Sequence, residues 1–267
     1  MDSVTFADAL PTPTPEPEPL SGLFSVSADK QVQFSTGNLQ YTQSTQTWSF
    51  AAQQYKAIGE ANVADGALAD KIDLFGWSGS TGTAQWGVGT SKLYASYSGD
   101  FADWGQNIGN GTTWRTLTND EWTYLLNTRT NASTLMGVAR INLNADGSEY
   151  ANGLIFLPDN WQAPDGVTFT SGLASTSGGQ AYADYQTFTL EEWSKLETAG
   201  AVFLPASGYR RGTDMWYKPQ GYYWSATLDN ISDRTVYWAF YFTSKVVNIA
   251  NHGRYYGSTV RLVRDMK

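Results

Sequence analysis

From Leu23 onward the apolar positions fall two apart in short runs: Phe24 and Val26, then Val32 and Phe34, then Leu39 and Tyr41 beyond a turn at Thr36-Gly37-Asn38. A period of two over so few residues predicts strands with one buried face. Two stretches switch to helical spacing. In TLTNDEWTYLLNTR, Thr118 and Glu121 have the spacing of a capping box, and Trp122, Leu125, Leu126 and Arg129 share one face. TLEEWSKLETAG repeats the device with Thr189 and Glu192, buries Trp193 and Leu196, and stops at Gly200. Between them, Ile141 and Leu143, a turn at Asp146-Gly147 and the apolar run Leu154 to Leu157 predict a hairpin. Strands are also expected at Ala201 to Pro205, at Thr235 to Thr243, after a turn at Ser244-Lys245, and at Thr259 to Val263. In Thr235 to Thr243, Val236, Trp238, Phe240 and Phe242 occupy one face, with Tyr237 and Tyr241 on the other. Gly76 to Gly111 has no helical period and is expected to form long ordered loops carrying buried aromatics. The class is α+β, mostly antiparallel strands with two short helices.

Residues 1–20 end in PTPTPEPEPL, an alternation that favours extended polyproline II and has little to bury. They are expected to be a linker, a spacer from a partner domain or surface, or else a disordered N-terminus. Residues 21–267 are then one main domain. Aromatic residues make up 15% of the chain, with 11 Trp and 16 Tyr, against 16% charged residues, which suits contact surfaces as well as a core. The net charge of −8 argues against nucleic acid as a partner. No run approaches the roughly 18 apolar residues of a membrane span, and the N-terminus lacks the pattern of a signal peptide.

With no cysteine, disulfides, thiolate metal sites and a cysteine nucleophile are excluded, and His252 is the sole histidine. No catalytic residue, metal site or cofactor is assigned. Asn142, Asn144, Asp146 and Gly147 have the start of a calcium-loop pattern, but Gly153 stands where the bidentate glutamate belongs, and a hairpin turn explains the same residues. His252, between Asn251 and Gly253, reads as an exposed loop residue, with ligand contact or pH sensing as the alternative. Tyr209, Arg210, Arg211, Trp216 and Tyr217 form a basic-aromatic stretch suited to stacking on a ligand or to packing under a loop. Asp73, Asp103, Asp120, Glu121, Asp165 and Glu192 are the carboxylates available to a glycosidase pair.

Several segments also carry a family likeness. RTLTNDEWTYLLNTR, Arg115 to Arg129, is similar to the arginine-led helix of formylglycine-generating-enzyme-like domains, with Leu117 where that family usually has proline. FLPASGYR, GYYWSAT and GSTVRLVR resemble the C-terminal half of that superfamily, which adopts the C-type lectin fold. FSVSADKQVQFSTGNLQY, IDLFGW, RTLTNDEW, FLPASGYRRG and YYWSAT, in that order, resemble gut bacterial and gut-phage proteins, among them variable proteins of diversity-generating retroelements, and together cover most of residues 21–267. The resemblance implies a C-type lectin fold with paired terminal strands. It implies a ligand- or receptor-binding protein, not an enzyme, on a bacterial cell surface or phage virion, whose partner is a cell-surface protein or glycan; homo-oligomerisation is open. The segment matching the variable region is about 226–256. Its implied ligand-binding residues are Asp229, Asn230, Ser232, Asp233, Tyr237, Tyr241, Asn248, Ala250, Asn251, His252, Tyr255 and Tyr256, with Gly221, Trp224, Ser225, Phe242, Gly257 and Arg261 as scaffold. The copper-binding cysteines of the enzymes and the EPN, QPD and WND calcium motifs of sugar-binding lectins do not occur here. A fixed adhesin of the same fold and a carbohydrate-active hydrolase are the alternatives.

Overall fold

The computed structural model describes residues 16–216, 219–228 and 236–266, with backbone alone for 236–238. Strands outnumber helices, and the architecture is α+β. The strand near the N-terminus, Gln31–Phe34, pairs antiparallel with the last strand, Leu262–Asp265, setting Val32 opposite Asp265 and Phe34 opposite Val263. Phe24–Ser25 and Trp114–Thr116 complete this four-stranded sheet. A second sheet is built on the expected hairpin, Met136–Asn142 with Tyr150–Phe156, flanked by Thr187–Phe188 and Val202–Pro205. The largest sheet runs in the order Asp214–Trp216, Tyr209–Arg211, Tyr256–Thr259, Gly221–Leu228, Val236–Phe242, Val247–Gly253, with Leu74–Phe75 also paired to Tyr256–Thr259.

Both capping boxes form. Thr118 accepts from the Glu121 amide while the Glu121 carboxylate accepts from the Thr118 amide, and Thr189 and Glu192 do the same. The first helix keeps α geometry only over Asn119–Thr123 and continues as a π turn over Tyr124–Thr128, with Trp122, Leu125, Leu126 and Arg129 buried as their spacing implies. The second, Leu190–Thr198, ends before Gly200, whose φ of 94° is a left-handed stop. A third α-helix, Gly179–Tyr185, was not expected. It begins on two glycines with no side-chain cap and owes its place to Tyr182, buried in the core with its hydroxyl donating to the Pro219 carbonyl at 2.9 Å.

One face of the large sheet supplies the main core: Tyr223, Phe240 and Phe242 pack toward Phe156 and Trp122, with the Trp122 ring stacked on Phe240 at 4.7 Å. Among the described residues the opposite face is covered at one end only. There Trp224 and Ala239 join Phe75, Trp77 and Trp104 beneath the Gly76 to Gly111 segment, which is the loop with buried aromatics that its composition implies. Ahead of the first strand, Leu20 donates to the Phe34 carbonyl at 2.8 Å and the Glu16 carboxylate accepts from the Asn110 amide at 3.0 Å; residues 1–15 of the proline-rich segment lie outside the described residues. Among the described residues no helix is long and apolar enough to cross a membrane.

Candidate functional site

The cover over the second face of the large sheet stops at Trp224 and Ala239. Two residues along each strand, at Tyr222 and Tyr241, the same face meets solvent, because side chains two apart point the same way. These tyrosines lie directly opposite each other, and Asn248 lies opposite Tyr241 on the next strand. After Gly253 the chain crosses from the edge strand back to Tyr256–Thr259, between Tyr209–Arg211 and Gly221–Leu228, and carries more rings onto this face.

The result is a column of aromatic rings. Tyr241 and Tyr222 are 4.7 Å apart, Tyr222 and His252 4.6 Å, His252 and Tyr256 4.4 Å, and Tyr256 and Tyr255 4.6 Å. The imidazole is parallel to Tyr256 within 1° and to Tyr222 within 14°. Tyr209 sets its edge against Tyr222, His252 and Tyr256, and Trp216 stacks on Tyr209. At the far end the Arg211 guanidinium lies 5.2 Å from the Tyr255 ring centre, and Tyr94 meets that ring edge-on.

His252 is therefore not an exposed loop residue. It is buried on the Val247–Gly253 strand, between two rings, with Nδ1 2.9 Å from the Ser258 hydroxyl. Isolated from the chain it looks like a loop residue because the apolar groups around it come from other strands. Burial pulls its pKa down to about 3, so it is neutral at ordinary pH and serves as a flat packing element. Burial raises the phenols of Tyr209, Tyr222 and Tyr241, and hydrogen bonding to Tyr255 together with burial raises Tyr256 to about 12. The face is thus rich in neutral hydroxyls that both donate and accept.

The other expected contact residues divide. Asn248 and Asn251 are exposed, Tyr241, Ala250 and Tyr256 are half-buried, and Tyr255 is buried beside Tyr97. Asp229, Asn230, Ser232 and Asp233 lie outside the described residues, as do Tyr217 and the side chains of Val236, Tyr237 and Trp238. Gly221, Trp224, Ser225, Phe242, Gly257 and Arg261 are all buried. Arg210 turns away from the face: its guanidinium donates to the carbonyls of Leu74 at 2.9 Å, Gly89 at 2.7 Å, Gly212 at 3.0 Å and Gly87 at 3.3 Å. Tyr222 and Tyr94 were missed; the alternation of GYYWSAT around buried Trp224 would have put Tyr222 on the same face as Tyr241.

Elsewhere, Asn144, Asp146 and Ser148 are tied up in the hairpin turn around Gly147, where Asp146 accepts from the Ser148 amide at 2.9 Å and Asn144 from the Glu149 amide at 3.2 Å. Among the described residues no group of three His, Asp or Glu side chains could hold a metal ion. Asp73 is buried and accepts from the Ile58 amide and Asn62, Asp103 caps Gly105 and Thr116, Glu121 binds Arg115, and Glu192 caps its helix. A separate cleft of about 400 Å³ lies between residues 55–61 and the 143–152 hairpin. Glu60 and Glu149 both line it, and Lys56 pairs with Glu149 at 3.0 Å.

Residues 178–263 match a family model described as Domain of unknown function (DUF8237), a span that takes in the large sheet from Tyr209 to Thr259. Neither a curated protein nor a solved structure matches the chain.

Proposed function

We propose that the protein is a ligand-binding module of the C-type lectin fold, displayed on a bacterial cell surface or phage virion, whose recognition surface is the half-buried ring column with exposed Trp216 and Asn248 beside it. One observation carries this reading: Tyr241, Tyr222 and Tyr256 stand with Trp216 on a sheet face whose cover ends one pair of residues away. Rigid tyrosines with neutral hydroxyls, flanked by exposed Asn248, have the chemistry of an antibody paratope; Asn251, exposed on the opposite face of its strand, is not beside them. The resemblance to retroelement-diversified proteins adds that residues near 226–256 vary to change the ligand, on a frame fixed by Trp224, Phe240 and Phe242.

The test is retention of fluorescently labelled protein on a panel of intact gut bacteria, comparing the wild type with Trp216→Ala and Tyr241→Ala. Retention on at least one strain should fall about tenfold or more, as expected for interface anchors, while cooperative thermal unfolding is retained. Equal retention by folded variants would remove the face from the function. The cleft supports a second reading, polysaccharide hydrolysis by Glu60 and Glu149 as the carboxylate pair. Release of reducing sugar, abolished in Glu60→Gln and Glu149→Gln but intact in Tyr241→Ala, would favour it.

A further inference from the structure

We infer that the partner of the ring column is a protein surface that offers a carboxylate to Arg211, an inference that rests on the proposed role of this face. The stacking itself selects the ligand class. Both faces of the His252 ring are covered, by Tyr222 on one side and Tyr256 on the other. Tyr222 turns its remaining side to Tyr241, and Tyr256 to Tyr255. Between its ends the column leaves ring edges and phenol hydroxyls to solvent; among the described residues no second ring covers the outer side of Tyr241 or of Trp216. A sugar bound across the column would need free faces along it, whereas a protein surface makes use of edges, hydroxyls and one projecting indole. Trp216, 45% exposed and stacked by one side on Tyr209, is that indole.

Arg211 supplies the charge. It is exposed, held against the Tyr255 ring, and among the described residues it has no ion pair. The carboxylate set opposite it in the strand register, Asp214, is taken by Lys92 at 2.7 Å. A guanidinium held by a ring keeps its planar fork ready for a carboxylate, and it does so on a chain of net charge −8, where an exposed arginine without an ion pair among the described residues stands out against the field. The anionic group is therefore recognised at one point and not by a broad basic patch.

A displayed library of random dodecapeptides, panned on the immobilised full chain and on Arg211→Gln, tests this. Peptides enriched on the wild type should share one Asp or Glu position. Changing it to Asn or Gln, or using Arg211→Gln, should weaken binding by about tenfold or more, the scale of one charge-assisted hydrogen-bonded contact. Enriched peptides that lack an acidic position, or that Arg211→Gln binds equally, would overturn the inference. So would a defined glycan array that retains the wild type where no peptide is enriched. That last result, if Trp216→Ala and Tyr241→Ala abolish it, leaves the face as the binding surface and changes only the class of ligand; unchanged binding in those variants would instead sink the reading of the face.

Discussion

Arg210 and His252 show how a residue type can mislead when its neighbours come from distant sequence. Arg210 sits in a basic-aromatic stretch, yet it is fully buried and holds four carbonyls, three of them from Leu74, Gly87 and Gly89. Arg210→Ala would leave those carbonyls unpaired and should cost about 3 kcal/mol or more in chemical denaturation. His252 makes a pH prediction. Its folded pKa of about 3 lies below the ordinary histidine value of 6.5, so the folded state binds fewer protons. That stability is complete above the unfolded value and is lost as pH falls toward about 3. Glu121, Asp159 and Asp265 have lowered pKa values and act with the same sign, but only below the ordinary carboxylate range; Asp73, raised by burial, acts with the opposite sign. Between about pH 6.5 and 4.5, the wild type should therefore lose about 2 kcal/mol more than His252→Gln. Parallel stability curves for the two proteins would show that the imidazole is not buried neutral.

At the scale of elements, what could be read from the sequence was what local chemistry decides. The two capping boxes were legible because Thr and Glu three apart meet within one helical turn, whatever the tertiary structure. Thr189→Ala, which removes the acceptor for the Glu192 amide, should cost about 1 kcal/mol in thermal or denaturant unfolding. The Gly179–Tyr185 helix was illegible because it has no cap and only seven residues, so its stability comes from packing. The glycine landmarks of the C-terminal region have steric causes. A Cβ on Gly221 would lie 2.2 Å from the Phe242 ring across the strand pair, and one on Gly257 2.3 Å from Arg210 Cγ. Gly221→Ala should therefore destabilise by about 1 to 3 kcal/mol, with Phe242→Leu in the same chain recovering part of the loss. A neutral Gly221→Ala would mean that the strands can part more easily than this packing allows.

The whole molecule combines a frame of packed hydrophobic clusters with one sheet face that the described residues leave partly uncovered, and this division predicts which positions can change. The alternation of Phe240, Tyr241 and Phe242 made the two faces legible in the sequence, but not where cover on the second face ends, since that depends on residues 76–111 reaching Trp224 and no further. Nor could the sequence show that His252 and Tyr255 belong to the frame, because their burial is built by Tyr222, Tyr256 and Tyr97. In a saturation library over codons 236–256, selected only for folding, Asn248 and Asn251 should accept nearly every residue, with stability changes within about 0.5 kcal/mol. Phe240 and Phe242 should accept only apolar residues, and His252 and Tyr255 only flat rings. If a retroelement diversifies this gene, the population should vary at Tyr241, Asn248 and Asn251 and purge changes at His252 and Tyr255, since unfolded variants cannot be displayed. Deep sequencing of that segment in the carrying population measures this directly. Variation as frequent at His252 as at Asn251 would mean that the centre of the ring column is not part of the frame and is itself diversified.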